Sequence, residues 1–227
     1  MKTDGVLPVQ DRFQGKIGVM GGTFNPIHIG HLRSAEEVRE AFDLDRVIFI
    51  PSADPPHKGK KGIIDIHDRL ELVTEAVREN PFFIASDIEA RRDGKSYTVD
   101  TLREIRSRLD DGGELFFILG LDAFLEIETW YHYRDLFDLS HFVVTDRPTS
   151  ESHNPPLVLP ETLAALFENV DGRTLLHPSG NRVYYHNISA LDISATEIRR
   201  LVGEGFSIRY LVPERVYDTI TQKGYYR

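Results

Sequence analysis

Two histidines, His28 and His31, stand three positions apart shortly after the glycine pair Gly21 and Gly22. At the start of a helix this spacing places both imidazoles on one face, and Gly30 leaves room between them. Paired glycines after a strand let the backbone approach a phosphate closely, and a helix N-terminus behind them offers N–H groups with a partial positive charge. The segment therefore predicts a phosphate site with two imidazole donors.

Two other interpretations of the histidine pair stay open from the residues alone. A metal pair would need a third Asp, Glu or His ligand at a recognisable spacing, and none presents itself. Both imidazoles could instead be structural and satisfied within the protein. We favour the phosphate interpretation because the pair lies in a strand–glycine–helix junction.

A second candidate junction, ISATEIR, runs from Ile193 to Arg199. Ser194 with Glu197 three residues later fits a capping box, which needs no ligand. Arg199 falls near the cap side of the same helix, so a hydroxyl, N–H groups and a guanidinium could gather on an anion. The residues alone leave both interpretations open.

Further candidate residues lie between these two junctions, and each has more than one interpretation. A helix opening at Ser96, Tyr97 and Thr98 would present first-turn N–H groups to a carboxylate. Trp130, the single tryptophan, can stack on an electron-poor ring or simply pack in the core. Asp122 can accept hydrogen bonds from ribose hydroxyls or cap a helix.

These residues can form one site only if the fold places them at the same edge of a sheet. Apolar and β-branched runs predict strands at 16–20, 46–51, 82–88, 115–119, 141–145 and 182–187. Apolar spacing predicts helices through Leu32, Ala35, Val38 and Phe42, at 67–79 with Leu70, Val73 and Val77 inward, and at 97–109, 121–128, 133–139 and 161–168, followed by two closing helices. Residues 150–160 are expected to form a loop. The alternation predicts an α/β fold with a mostly parallel sheet covered on both faces, and ligands bind beyond the carboxyl ends of such strands.

Composition narrows the class of protein. The chain has 227 residues, no cysteine and a formal net charge of −9, so disulfides and thiolate metal sites are excluded and a broad nucleic-acid footprint is not expected. Neither a secretory signal nor a membrane span is apparent, which favours a cytoplasmic protein with no membrane partner. We expect a polar extension at 1–15 and a single domain at 16–227. A homo-oligomer is left open.

The string His28-Ile29-Gly30-His31 spells the HIGH signature, and GGTFNPIHIGHL resembles the opening of the bacterial nicotinate-nucleotide adenylyltransferase family. Three further blocks follow in that family's order: PPHK, then SYT with a later D and TWY, then ISATEIR. The family usually has Asp where this chain has Asn25, which removes one possible anionic group near the metal. Many members have Ala where this chain has Leu121.

The resemblance implies a Rossmann-like nucleotidyltransferase fold. It also implies transfer of AMP from ATP to nicotinate mononucleotide, giving deamido-NAD and pyrophosphate in NAD biosynthesis. Mg²⁺ would be held mainly by the ATP phosphates, with no dedicated protein ligand. The implied catalytic residues are His28, His31 and Arg199; the implied ATP-binding residues are Gly21, Gly22, Thr23, Phe24, His28, His31, Lys58, Ser194, Thr196 and Arg199; the implied nicotinate mononucleotide-binding residues are Ser96, Tyr97, Thr98, Asp122, Trp130 and Tyr131.

Several alternatives remain at this stage. Nicotinamide mononucleotide or phosphopantetheine could be the acceptor, although the SYT and TWY segments speak against both. A nucleotide-binding module without turnover would have no need for His28, His31, Ser194 and Arg199 together. A metal-dependent hydrolase built on the histidine pair is the remaining possibility.

Overall fold

The computed structural model describes residues 12–53, 62–92, 94–146, 159 and 161–227. In this part of the chain the strands are β1 (Lys16–Gly22), β2 (Arg46–Pro51), β3 (Phe83–Ala85), β4 (Glu114–Gly120), β5 (His141–Asp146), β6 (Glu168–Asn169), β7 (Thr174–Leu176) and β8 (Arg182–Asn187). The helices are α1 (Ile29–Ala41), α2 (Ile66–Val77), α3 (Thr98–Arg106), α4 (Leu121–Leu125), α5 (Tyr133–Leu139), α6 (Glu161–Ala164), α7 (Ala195–Gly203) and α8 (Glu214–Lys223), with a 3₁₀ turn at Ile127–Thr129.

These strands form one sheet in the order β3-β2-β1-β4-β5-β8-β7-β6. The neighbours from β3 through β8 pair in parallel, whereas β8–β7 and β7–β6 pair antiparallel. The order of the strands reverses between β1 and β4, and this is the point at which open α/β sheets bind ligands. The expected α/β class with a mostly parallel sheet is confirmed.

The sheet has a hydrophobic layer on each face because successive strand residues point to opposite sides. We call the layer beneath α3, α4 and α5 the first layer; it takes Ile17 and Val19 of β1. The second layer lies beneath α1, α2, α7 and α8 and takes Met20 of β1. The junctions at α1 and α7, both expected to bind phosphate, therefore pack on one face, and the segments expected to bind the acceptor pack on the other.

Several predicted boundaries need correction. The strand expected at 82–88 is limited to Phe83–Ala85, and the helix expected at 161–168 ends at Ala164. The inward face predicted for α2 is confirmed, since Val73 and Val77 are buried and the partly buried Leu70 packs against the second layer; Leu72 is buried as well. The short strands β6 and β7 were not predicted; β6 has no apolar residue, so it gives no alternating signal.

The expected boundary between the polar extension and the domain, at residues 15 and 16, is shifted toward the amino terminus. Phe13, which falls in the expected polar extension, is buried in the first layer. Its backbone forms hydrogen bonds with Arg108 and Asp110. Residues 12–15 thus pack with the domain, whereas residues 1–11 and most of the expected loop at 150–160 lie outside the described residues. Among the helices described, none is both long and apolar enough to cross a membrane.

Candidate active site

The first junction connects β1 to α1 through a tightly packed turn. Phe24 lies in the left-handed region with φ of 45°, a conformation that a bulky residue adopts only when its surroundings hold it there. Its ring is buried and packs edge-on against His31, with 5.1 Å between ring centroids. The turn is therefore fixed by core packing, and so is the placement of the helix that follows.

The two histidines form a stacked pair at the start of α1. Their ring centroids are 3.7 Å apart with 26° between planes, and the His28 backbone N–H donates to His31 Nδ1 at 3.3 Å. His28 is 3% exposed, whereas His31 is partly exposed and lines the cleft described next. The spacing argument is confirmed, because the two rings lie side by side.

A cleft of 430 Å³ opens at the carboxyl ends of the central strands. The cleft is lined by Gly21 and His31 of the first junction and by Asp122 at the start of α4. The full lining is Met20, Gly21, Gly30, His31, Ser34, Ile118, Leu119, Gly120, Leu121, Asp122, Thr145, Asp146 and Ile188. Two of the predicted groups thus meet at the reversal of strand order, where a ligand is expected.

The late junction lies against the first one. Ser194 caps α7 by accepting a hydrogen bond from the Glu197 N–H at 3.2 Å. The N-cap half of the expected capping box is therefore confirmed, while the Glu197 carboxylate accepts from Arg200. Arg199 donates to the Asn25 carbonyl at 2.8 Å and to Thr196 Oγ1 at 3.2 Å. The guanidinium is therefore held against the turn that precedes His28.

The segments expected to bind the acceptor also come together. Tyr97 and Tyr131 lie with ring centroids 4.3 Å apart, although they are more than thirty positions apart in the chain. Tyr97 occupies the N-cap position of α3, and its side chain makes no capping hydrogen bond, while Thr98 opens the helix. Tyr131 is 53% exposed. The ring planes are inclined by 32°, and the exposed Tyr131 ring offers an aromatic face to a ligand.

The other three acceptor candidates differ in exposure. The Ser96 side chain is buried, so a contact from this residue to a ligand would have to use its backbone. Trp130 is partly buried against the first layer, edge-on to Phe117. Asp122 is exposed in the first turn of α4, whose N-cap is Gly120. The interpretation of Asp122 as an N-cap is therefore wrong.

Sequence reasoning missed two buried charges behind the junction. Arg69 of α2 is 2% exposed and donates to the carbonyls of Thr23 at 2.8 Å, Ile64 at 3.1 Å and Ala53 at 3.5 Å. Glu89 accepts from the Ala53 N–H at 3.3 Å and from the Thr101 hydroxyl at 2.8 Å. A charged residue at helical spacing from Val73 and Val77 was the available signal for Arg69.

Burial perturbs both of these groups. Desolvation lowers the pKa of Arg69 from its ordinary value, and nearby acidic groups, Tyr226 first, partly oppose this. Desolvation raises the pKa of Glu89, and the hydrogen bond from Thr101 partly opposes that shift. Both effects follow from the cost of holding a charge away from water.

Lys58, and with it the PPHK block, lies outside the described residues. Among the residues that are described, no three His, Asp or Glu side chains are grouped closely enough to hold a metal ion. The carboxylates that line the cleft are those of Asp122 and Asp146.

Comparison with known proteins identifies the family. The cytidylyltransferase-like family model matches residues 19–201. A probable nicotinate-nucleotide adenylyltransferase of Trichlorobacter lovleyi is 47% identical over 212 residues, covering 93% of this chain and 99% of the relative. The protein of the same description from Geobacter metallireducens is 48% identical and covers 93% of this chain and 98% of the relative.

Solved structures agree on the fold. The Plasmodium falciparum nicotinic acid mononucleotide adenylyltransferase complexed with NaAD aligns with a TM-score of 0.68 at 17% identity, covering 93% of this chain and 97% of the other. A putative nicotinate-nucleotide adenylyltransferase from Vibrio parahaemolyticus gives 0.60 at 18% identity, covering 94% and 96%. Because the match to the sequence relatives extends over nearly their full length, the chain belongs to the nicotinate-nucleotide adenylyltransferase family of nucleotidyltransferases.

Proposed function

We propose that this protein transfers AMP from ATP to nicotinate mononucleotide, forming nicotinate adenine dinucleotide and pyrophosphate in NAD biosynthesis. The observation that carries the proposal is the cleft at the reversal of strand order, where His31 and Asp122 line one wall. The relatives of 47% and 48% identity bear the corresponding description. The likeness to the structure solved with NaAD supports the fold required for that chemistry.

The reaction needs alignment more than chemical activation. An oxygen of the mononucleotide 5′-phosphate attacks the α-phosphorus of ATP, forming a P–O bond. The bond from the α-phosphorus to the bridging oxygen breaks, and pyrophosphate leaves with the electron pair. The nucleophile is already an anion, so the protein has to hold the two phosphates in line and stabilise the charge that spreads in the transition state.

We assign the donor side of this task to the two junctions. His28 and His31 would donate to the triphosphate, and Arg199 would add a cation from the side of α7. Backbone N–H groups at Gly22 and Thr23 would approach the nucleotide, with Gly21, Phe24, Ser194 and Thr196 completing the ATP-binding set. Lys58 remains a prediction from the sequence.

We assign the acceptor side to α3 and to the segment after β4. Tyr97 and Tyr131 offer an aromatic surface for the pyridine ring, with Trp130 near the same segment. The first-turn N–H groups at Thr98, with the backbone of Ser96, would receive the nicotinate carboxylate. Because the amide of nicotinamide presents its own N–H donors there, the acid form is favoured. Asp122 would accept from ribose hydroxyls.

We propose that the divalent ion is Mg²⁺ and that it would be held mainly by the ATP phosphates within this cleft. It prefers oxygen ligands and keeps several waters, and Asp146, which lines the cleft, could accept hydrogen bonds from those waters. When bound, it neutralises phosphate charge. We also retain the cytoplasmic location expected from the sequence.

The decisive measurement is pyrophosphate release by the purified protein with ATP and Mg²⁺, comparing nicotinate and nicotinamide mononucleotides side by side. We expect a strong preference for the acid. Preference for the amide would contradict the assignment of the carboxylate site and leave the transfer chemistry in place. No release with either compound would contradict the proposed function.

A further inference from the structure

The side chain of Asn25 joins three separate parts of the chain behind the first junction. Its Nδ2 donates to the Gly62 carbonyl at 2.8 Å. Its Oδ1 accepts from the Ile64 backbone N–H at 3.3 Å and from the Tyr226 hydroxyl at 3.0 Å. These partners lie 37, 39 and 201 positions away along the chain, and Asn25 itself is 4% exposed.

Two of these partners fix which way the amide points. The Gly62 carbonyl can only accept a hydrogen bond, and the Ile64 N–H can only donate one. The Asn25 side chain must therefore act as donor and acceptor at once. An ionised aspartate is nearly the same shape but has no proton to donate, so it would set a carboxylate oxygen against the Gly62 carbonyl.

The third partner, Tyr226, is a competent donor at neutral pH. Burial raises the pKa of its phenol well above the ordinary value, and the cations Arg199 and Arg69 only partly oppose this. The hydroxyl therefore keeps its proton and can continue to donate to Asn25 Oδ1.

The backbone of the same residue connects to the reacting groups. The Asn25 carbonyl accepts from the Arg199 guanidinium at 2.8 Å, and His28 follows three residues later. On the other side, the Thr23 carbonyl accepts from the buried Arg69. A shift of Asn25 would therefore displace Arg199 and the histidine turn relative to each other.

We infer that Asn25 is a positioning residue for AMP transfer, whose side-chain contacts to Gly62, Ile64 and Tyr226 set the position of the Arg199 guanidinium relative to the His28–His31 pair. The inference rests on the proposed function, since it concerns groups assigned there to the ATP phosphates. Asn25 touches no substrate in this role and acts through Arg199 and the turn. Misplacement of about 1 Å at such groups costs on the order of 100-fold in rate, so even a partial shift is measurable.

The test is a double-mutant cycle with Asn25→Ala and Tyr226→Phe, measured as kcat/KM for ATP with nicotinate mononucleotide at saturation. We expect Asn25→Ala to lower kcat/KM about tenfold and Tyr226→Phe about threefold. The double variant should be no worse than Asn25→Ala alone, because the hydroxyl then has no Oδ1 to reach. Asn25→Asp should lose about as much as Asn25→Ala at neutral pH. KM for nicotinate mononucleotide should change less than twofold.

The matched control is Asn181→Asp. Asn181 Nδ2 also donates to a backbone carbonyl, that of Phe137 at 2.8 Å, but it lies before β8, at the antiparallel end of the sheet. The control loses the same kind of hydrogen bond, so it should lose stability while kcat/KM stays within about twofold of the unaltered chain. Folded fractions from circular dichroism correct every rate, which separates a positioning role from a merely structural one.

Additive losses in the cycle, or rates equal to those of the unaltered chain after correction, would overturn the inference and leave the proposed function standing. Absence of turnover in the unaltered chain would instead overturn the proposed function. In that case calorimetric binding of a non-hydrolysable ATP analogue with Mg²⁺ to the same variants decides the inference. Weaker binding in the Asn25 variants, but not in Asn181→Asp, would support it, and equal binding or none in the unaltered chain would overturn it.

Discussion

Gly30 lies directly against the imidazole of His28. A Cβ atom added at position 30 would come within 3.1 Å of His28 Nδ1 and 3.2 Å of Cε1. Such contacts are tighter than ordinary side-chain packing, so the ring would have to move by a few tenths of an ångström. The glycine is therefore required by the histidine pair and not by the helix, whose backbone any residue could adopt there.

We predict that Gly30→Ala lowers kcat about tenfold while the melting temperature stays level or rises. Alanine favours a helix over glycine by about 0.5–1 kcal/mol, which offsets the crowding, but the displaced His28 ring would no longer meet the phosphates assigned to it in the same place. Steady-state kinetics and thermal unfolding on one preparation check both parts. Gly203→Ala, in α7, is the control, because its Cβ would meet only the Tyr226 carbonyl at an ordinary 3.5 Å. A Gly30→Ala variant with full kcat would contradict this role.

Removal of either imidazole should cost more. We expect His31→Ala and His28→Ala each to lower kcat/KM for ATP by roughly 100-fold or more, the loss typical of one preorganised donor to developing charge. KM for nicotinate mononucleotide should change little, because that ligand is assigned to other segments. Initial rates with each substrate varied in turn separate the two effects. A rise in KM for nicotinate mononucleotide alone would show that the histidines bind that substrate and would contradict their assignment to ATP.

The tyrosine pair gives the complementary prediction. Tyr131→Ala removes the exposed ring of the tilted pair with Tyr97 and should raise KM for nicotinate mononucleotide about tenfold, since an aromatic contact to the pyridine ring is worth about 0.5–1.5 kcal/mol beyond area burial. KM for ATP should stay within twofold. Tyr210→Ala serves as control, because Tyr210 is 88% exposed. Equal effects of the two substitutions would argue against an aromatic site at Tyr131.

Glu89 should make stability depend on pH. Burial raises its folded-state pKa above the ordinary 4.5, so the folded protein binds more protons than the unfolded one between those two pKa values. The free energy of unfolding therefore falls as pH rises through that window, and below 4.5 the penalty is absent. Glu89→Gln cannot ionise, so its stability relative to the unaltered chain should increase with pH across the window. Urea unfolding at a series of pH values measures this, and a difference that is constant with pH would contradict it.

Arg69 should be essential to the fold around the first junction. Arg69→Met keeps the bulk of the side chain but leaves the carbonyls of Thr23, Ile64 and Ala53 without this donor. At about 1–3 kcal/mol for an unsatisfied buried group, we expect a loss of about 3 kcal/mol in the free energy of unfolding. The control Arg78→Met, at the end of the same helix, breaks only a half-exposed ion pair with Glu75 and should cost less than about 1 kcal/mol. Similar losses for both would show that the Arg69 contacts contribute little.

The sequence predicted the parts of this molecule that depend on local pattern. Apolar runs located six of the strands, and the spacing of His28 and His31 indicated their shared face before any contact was known. Ser194 was correctly expected to cap a helix. The strands β6 and β7, of two and three residues, were not predicted because strands this short have too few positions to show an alternating apolar pattern.

Long-range polar contacts were beyond sequence reasoning. The departure at Asn25 was interpreted only as a missing anionic group, yet its partners lie 37 to 201 positions away, and no periodicity reports such a separation. The burial of Arg69 could have been predicted, because a charged residue at helical spacing from apolar residues lies on the buried face and needs hydrogen-bond acceptors there. Glu89 lies outside a regular element and gave no comparable signal.

The division of the cleft between the two hydrophobic layers bears on how such a protein changes over evolutionary time. The junctions at α1 and α7 pack on the second layer, while Tyr97 and Trp130 pack on the first. With the acceptor site assigned as proposed, drift that repacks the first layer would reshape the choice of acceptor without disturbing the histidine pair. One scaffold can in this way acquire new acceptors while its nucleotide donor stays the same.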